Sequence, residues 1–274
     1  GAPGWHLECS VMSEALLGLP FDIHTGGIDH REIHHPNEIA QNQARCGSDH
    51  SGAHFWMHNN FLIERSGKMS KSSGEFLRVQ LLIDKGFHPL AYRLMCLQAH
   101  YRSELEYSWE GLQAAFVRLK RMVMGVSNLK VRHVELVSPP VTDVQGDVAP
   151  AIAATLRDFG AAVDDDLNTA IALTSLETLV GLKKVDVAQQ LAAIAEMDAV
   201  LGINLMALSR TDLRIRPKNA IITEDEIESA LAARKEARAA KDFAKSDTIR
   251  DDLIAKGVEV MDGDPLGWDW KLDI

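Results

Sequence analysis

The sequence predicts an α/β segment, followed by a mostly α-helical bundle and a small C-terminal α+β domain. Over the first 88 residues, short apolar runs that end in glycine alternate with stretches of helical spacing. From Pro89 onward the apolar residues keep helical spacing almost throughout, and the chain closes on a hairpin pattern at 258–271. We therefore expect domains at residues 1–88, 89–208 and 209–274.

The composition excludes several classes of protein. The chain has 274 residues, of which 46% are hydrophobic and 25% are charged, as in ordinary globular proteins. No apolar run is long enough to cross a membrane, and three widely spaced cysteines do not suggest a disulfide framework, so we expect a cytoplasmic protein. The net charge of −10 argues against a protein that coats nucleic acid non-specifically. It is compatible with a local basic face that binds one folded RNA.

The first segment reads as alternating helices and strands. Residues 11–18 favour a short helix with Met12, Ala15 and Leu16 facing inward. A buried strand at 21–24 is followed by a helix that runs to about Arg45 and stops at Gly47. Residues 54–65 predict a strand, a turn and a second strand.

The middle segment reads as helices. Ser108 is a plausible N-cap for a helix that buries Leu112, Phe116, Leu119 and Val123. Further helices are expected at 151–163, 167–182 and 187–203, from the spacing of their apolar residues.

The last segment opens with a linker and closes on a hairpin. Thr223 and Glu226 have the spacing of a capping box, which predicts a helix to about residue 240. A second helix is expected at 243–256, and a turn at 262–267 separates the two strands of the hairpin.

Near the N-terminus, Cys9, either His34 or His35, and Glu38 form a candidate metal site. Thiolate, imidazole and carboxylate are all acceptable zinc ligands, and a catalytic zinc keeps one position open for substrate. The spacing alone is a weak signal, because a buried cysteine is often only a small hydrophobic residue.

A loop at 64–74 combines two lysines with serines and flanking glycines, in the order Glu-Arg-Ser-Gly-Lys-Met-Ser-Lys-Ser-Ser-Gly. Lysine suits phosphate, serine adds hydrogen-bond donors and glycine lets the backbone approach a ligand. A solvated charged loop is the alternative interpretation.

These motifs together resemble cysteinyl-tRNA synthetases, which are class I aminoacyl-tRNA synthetases. The resemblance is carried, in order and spacing, by Gly-Trp-His-Leu-Glu-Cys-Ser at 4–10, Gly-Gly-Ile-Asp at 26–29, His-His-Pro-Asn-Glu-Ile-Ala-Gln at 34–41 and Lys-Met-Ser-Lys-Ser at 68–72. It implies that the first segment is part of a Rossmann-like catalytic domain. It also implies ATP-dependent activation of cysteine, with Mg²⁺, and transfer of cysteine to tRNA(Cys).

The resemblance assigns roles to individual residues. The ATP-binding loop would comprise Lys68, Met69, Ser70, Lys71 and Ser72, with Lys68 and Lys71 as the catalytic lysines that stabilise the pyrophosphate leaving group. Zinc would be held by Cys9, His34 and Glu38. His35 is the alternative to His34, because this chain has Pro36 where the family more often has an acidic residue, and proline fixes the turn that orients the histidines. Trp5 would form a wall of the cysteine pocket, with a place in the core as its alternative. Asp29 would face the substrate ammonium, with capping of the following helix as its alternative.

The resemblance also makes the last domain the part that recognises the anticodon. The expected tRNA contacts are Arg234, Arg238 and Lys241, with Trp268 or Trp270 stacking on an exposed base. A solvated helix face with acidic partners is the alternative for the basic residues.

Two parts of the family pattern are missing from this sequence: the His-Ile-Gly-His-like motif and the first zinc cysteine. We therefore expect little or no aminoacylation by this chain alone, and an N-terminal half of the catalytic domain as a partner. The alternatives are a ligase that joins cysteine to a sugar amine, a non-catalytic tRNA-binding paralogue, and a split protein with a separate N-terminal chain.

Overall fold

The computed structural model describes residues 4–47, 51–64, 78–136 and 148–272. The lysine loop from Lys68 to Ser72 lies outside these residues, so its role stays a prediction. The chain divides into two compact units, one formed by Gly1–Met69 and Ala99–Tyr107, the other by Ser70–Gln98 and Ser108–Ile274. The domain boundaries expected at residues 88 and 208 stay predictions.

The first unit is built around a parallel β-α-β arrangement. Its elements are α1 (His6–Leu17), β1 (Phe21–Gly27), a 3-10 turn (Ile28–His30), α2 (His34–Cys46), β2 (Ala53–Asn59), β3 (Leu62–Glu64) and β4 (Leu105–Tyr107). β1 and β2 are parallel neighbours, with His24 opposite Trp56 and Gly26 opposite His58. Parallel strands need a crossover connection, and α2 supplies it.

The predicted orientation of α1 is wrong. Met12 is 53% exposed and Leu16 is 80% exposed, and Ala15 is exposed as well. The buried residue of α1 is Ser10, whose hydroxyl lies 2.9 Å from Oε1 of Gln41 in α2. The helix packs on α2 with this contact and a Glu14–Arg45 ion pair, and most of its apolar residues are exposed.

The second unit is mostly helical. It contains α3 (Val79–Asp84), α4 (Pro89–Leu97), α5 (Trp109–Leu136), α6 (Pro150–Asp164), α7 (Thr169–Gly181), α8 (Val187–Leu201), α9 (Glu224–Ala239), α10 (Phe243–Ala255), β5 (Val258–Val260) and β6 (Trp268–Trp270). The predicted N-cap of α5 is confirmed, because the Ser108 hydroxyl accepts a hydrogen bond from the Gly111 N–H. The four apolar residues predicted for its inner face are all buried.

The C-terminal part of this unit has its own small core. The capping box of Thr223 and Glu226 is formed as predicted, and α9 packs against α10. β5 and β6 pair antiparallel. The core they cover consists of Ile222, Ile227, Leu253, Val258, Trp268 and Trp270. Among the described residues, no helix has the length and apolar character needed to cross a membrane.

Candidate functional site

The three residues predicted as zinc ligands converge in the first unit. Cys9 comes from α1, while His34 and Glu38 lie one turn apart on the same face of α2. One ligand atom from each residue lies within 4.8 Å of the other two. His34 and Glu38 are buried, and Cys9 is half-buried.

The structure separates the two adjacent histidines. His34 lies with Cys9 and Glu38, and its Nε2 is 2.9 Å from Oε1 of Glu38. His35 lies in a second group, with His24 and Glu38. The geometry therefore groups His34, and not His35, with the cysteine.

The first group has the donor atoms and the burial that suit a cation. Glu38 is 1% exposed, and its Oε1 has no hydrogen-bond partner among the described residues. The Nδ1 of His34 is also buried and without a partner there. The His34 ring lies 2.9 Å from this oxygen but makes no hydrogen bond to it, and a buried carboxylate oxygen without a hydrogen bond is costly, a cost that a divalent cation would remove. The residues present therefore fit zinc.

His24 was missed by the sequence reasoning. It lies in β1, and its Nε2 is 2.9 Å from Oε2 of Glu38. The two oxygens of one carboxylate thus face different histidines, His34 on one side and His24 on the other. The available signal was its place in a predicted strand that runs directly into a turn rich in polar residues; the strand forms, but of its residues only Phe21 is buried.

Burial favours the neutral form of three imidazoles in this region. It lowers the pKa of His34 and His58, and it lowers the pKa of His35 to about 4, with neighbouring imidazoles adding to the effect. Neutral imidazole is the form that binds metals. Burial, with the Glu38 carboxylate as a second cause, raises the pKa of the Cys9 thiol, and a bound cation would oppose that shift.

The two residues expected to contact an amino-acid substrate lie at the edge of this site. Trp5 is 62% exposed and its ring centroid is 4.4 Å from that of His34, so the core alternative is wrong. Asp29 lies in the 3-10 turn, with its side chain 60% exposed. Since α2 has Ile33 at its N-cap and no side-chain cap, the structure gives Asp29 no capping role there.

In the C-terminal part, the structure corrects three of the predicted RNA contacts. Trp268 and Trp270 are 0% and 3% exposed and belong to the core, so neither offers a free ring face. Arg234 is 6% exposed and bound to Asp262, so its guanidinium is occupied. The sequence pattern identified aromatic and basic residues but did not reveal which of them are buried or paired within the fold.

Other residues nearby remain accessible. Arg238 is half exposed, 3.3 Å from a carboxylate oxygen of Asp262, and Lys241 is exposed just after α9. Phe243, at the start of α10, is 61% exposed and was not among the predicted contacts. An aromatic ring with a free face therefore lies close in sequence to two accessible cations.

Comparison with known proteins identifies first a class and then a family. Residues 1–117 match the model of the class I (C) tRNA synthetase catalytic domain, and residues 223–265 match that of the cysteinyl-tRNA ligase anticodon binding domain. A LeuRS of Agrobacterium radiobacter K84, solved as a ternary complex with tRNA and LeuAMS, has a similar fold over 68% of this chain and 26% of that chain. The TM-score is 0.50 and the sequence identity 16%.

Curated relatives agree with these matches. The cysteine–tRNA ligase of Novosphingobium aromaticivorans is 68% identical over 99% of this chain and 55% of its own length. That of Zymomonas mobilis is 50% identical over 99% of this chain and 57% of its own length. The chain belongs to the cysteine–tRNA ligase family, and it spans about half the length of the curated relatives it matches.

Proposed function

We propose that the protein acts in ATP-dependent activation of cysteine and in its transfer to tRNA(Cys), and that the described residues form its amino-acid and tRNA sites. The observation that carries the proposal is the convergence of Cys9, His34 and Glu38, with ligand atoms within 4.8 Å of one another. The family membership of the chain supports it independently.

Zinc at these ligands would lower the pKa of a substrate thiol and bind the resulting thiolate in preference to a serine hydroxyl. The chain's own residues would complete the pocket. Trp5 lies edge-on to His30 and tilted against His34, so it would form one wall of the pocket. The exposed Asp29 carboxylate would accept hydrogen bonds from the substrate ammonium.

The lysine loop would then act on the nucleotide. In this proposal Lys68 and Lys71 stabilise the pyrophosphate leaving group, with Mg²⁺ on the ATP phosphates. Catalysis of this kind is positioning and charge stabilisation. The remaining catalytic residues would come from the part of the relatives that this chain does not span, so we expect little pyrophosphate exchange from this chain alone. We place the protein in the cytoplasm, where the Cys9 thiol stays reduced.

For tRNA, we propose that Arg238 and Lys241 contact backbone phosphates and that Phe243 stacks on an unpaired base. The exposure of all three supports this assignment. The match of 223–265 to an anticodon binding domain disfavours the sugar-amine ligase, because the acceptor substrate of such a ligase has no anticodon. Arg234, Trp268 and Trp270 would shape this surface from below without contacting RNA.

The amino-acid site is tested by tryptophan fluorescence of the zinc-loaded chain, because Trp5 lies against His34. We expect cysteine to change the emission saturably, serine to have no effect, and Cys9→Ala to abolish the cysteine response. Trp56→Phe serves as the matched control, since it removes a tryptophan that lies against His24 and His35 instead. An equal response to serine would contradict the proposal.

The tRNA site is tested by filter binding of tRNA(Cys). Lys241→Ala and Phe243→Ala should each weaken binding about tenfold, consistent with loss of a phosphate or a stacking contact. Lys183→Ala, an exposed lysine between α7 and α8, should have no effect. Binding that survives Lys68→Ala and Lys71→Ala but is lost on alanine substitution of the C-terminal basic residues would favour the non-catalytic tRNA-binding paralogue.

A further inference from the structure

A second group of side chains that could hold a metal ion shares Glu38 with the predicted zinc ligands. It consists of His24 from β1 with His35 and Glu38 from α2, and one ligand atom from each lies within 4.8 Å of the other two. Two imidazoles and a carboxylate are a donor set used by zinc and by other divalent transition metals. We call it the inner group, and Cys9, His34 and Glu38 the outer group.

The backbone around the inner group permits this convergence. His35 is 3% exposed and lies over Gly26, where a Cβ would be 2.8 Å from Nε2 of His35. Any side chain at residue 26 would therefore displace the ring. The parallel pairing of β1 with β2 also sets His58 opposite Gly26. Gly26 lies near Nε2 of His35, and His58 lies near its Nδ1.

His58 completes an arrangement typical of metal ligands. Its Nε2 lies 2.8 Å from Nδ1 of His35, which orients the ring, so that Nε2 of His35 is the ring nitrogen that would bind a metal. Metal-binding histidines characteristically have their second nitrogen held by such a partner. Neighbouring rings enclose the group, since Trp56 lies 4.6 Å from His24 and 4.8 Å from His35, centroid to centroid.

Glu38 connects the two groups. Its Oε1 faces His34 at 2.9 Å, and its Oε2 faces His24 at the same distance. A carboxylate whose two oxygens are directed to different ligand sets has the geometry of a bridge between two cations. Each cation would neutralise part of the same buried charge.

We propose that the inner group is a second site for a divalent transition-metal ion such as Zn²⁺, and that Glu38 bridges it to the outer site. The inner site has nitrogen and oxygen donors and no sulfur, whereas the outer site contains the Cys9 thiolate. The two sites therefore differ in their spectra, and either can be emptied by substitution without touching the shared carboxylate. The bridging part of the proposal rests on the outer site of the proposed function, and the experiment below follows the two sites separately.

The test is titration of the metal-free chain with Co²⁺, followed by optical absorption, with Zn²⁺ content measured in parallel after dialysis. We expect two ions per chain, and one of them should show thiolate-to-cobalt charge-transfer absorption. Cys9→Ala should bind one ion and lack that absorption. The double variant His24→Gln, His35→Gln should also bind one ion but keep the thiolate-to-cobalt absorption. Glutamine at residue 24 can still donate a hydrogen bond to Glu38.

His54→Gln, an exposed histidine of β2, is the matched control and should bind two ions. Circular dichroism shows which variants keep their fold. Glu38→Gln should weaken metal binding at both sites, because both share this carboxylate. The proposal is overturned if the parent chain saturates at one ion and the double variant binds the same amount. It is equally overturned if a folded Cys9→Ala chain binds none, because His24 and His35 would then only position Glu38.

Discussion

Arg234 of α9 holds Asp262 with two hydrogen bonds, 2.6 Å from Nη1 to Oδ1 and 2.8 Å from Nη2 to Oδ2. The carboxylate lies in the turn between β5 and β6, and the guanidinium is buried beneath it. On the other side of this turn, Arg210 binds Asp264, with Nη1 2.7 and 2.8 Å from its two oxygens. Two arginines thus hold one hairpin turn from different parts of the chain.

Replacing Arg234 with methionine should destabilise the second unit. We expect a loss of about 1.5 kcal/mol in the free energy of unfolding, the low end for hydrogen bonds to a charged group, because Asp262 is more than half exposed. Urea unfolding followed by the fluorescence of Trp268 and Trp270 measures it. Arg238→Met is the control and should change the free energy by no more than about 0.5 kcal/mol. Equal effects of the two substitutions would contradict the assignment.

The stability of the same turn should depend on pH. Hydrogen bonding to Arg234 lowers the pKa of Asp262, and hydrogen bonding to Arg210 lowers that of Asp264. A carboxyl whose pKa is lower in the folded state stabilises the fold above its unfolded pKa of about 3.9, and that contribution is lost as the pH falls through the folded value. We therefore expect unfolding midpoints to fall more slowly on acidification in Asp262→Asn, Asp264→Asn than in the parent chain. Asp158→Asn, an exposed residue of α6, should leave the profile unchanged.

Lys120 and Asp269 connect α5 to β6, with Nζ 2.5 Å from Oδ2 and the Asp269 side chain 9% exposed. Lys120→Met should cost about 3 kcal/mol, because it leaves a buried carboxylate without its cation. The double variant Lys120→Met, Asp269→Asn should recover part of that loss, which a double-mutant cycle of urea unfolding would show. An additive cycle would mean that the pair contributes through packing alone.

Gly26→Ala should disturb the histidines of the first unit. The new methyl group would lie 2.7 Å from Cε1 of His35, and overpacking of this kind costs about 1–3 kcal/mol. Near-ultraviolet circular dichroism during heating measures the change, since Trp56 packs on the same ring. Gly160→Ala in α6 is the matched control: nothing lies within 4 Å of its new methyl group, so alanine should stabilise that helix by about 0.5–1 kcal/mol. Equal thermal stability of Gly26→Ala and the parent chain would refute the predicted clash.

Local patterns predicted the helices well. Ser108 and Thr223 were identified as caps because a cap depends on residues three positions away. The short strand β4 was missed, because its three residues acquire their structure from pairing with Leu62–Glu64, some forty positions earlier. Strand pairing between distant segments leaves little trace in a single sequence.

The errors in the candidate site have the same origin. Trp268 and Trp270 lie two positions apart in a strand and hence on one face, and that face turned out to be the inner one. Arg234 finds its acidic partner 28 residues later, beyond the reach of helical spacing. Cys9, His34 and Glu38 were recognised from their family pattern, whereas His24 enters only through the folding of β1 against α2.

The position of Glu38 between two sets of ligands limits how this region can evolve. A change at Cys9 alters the charge near the Glu38 carboxylate, and a change at His24 alters the charge felt by its Oε2. Substitutions at residues 9 and 24 are therefore epistatic, because each sets the cost of the other through one shared carboxylate. Loss of one of these side chains therefore changes the selective constraint on the other.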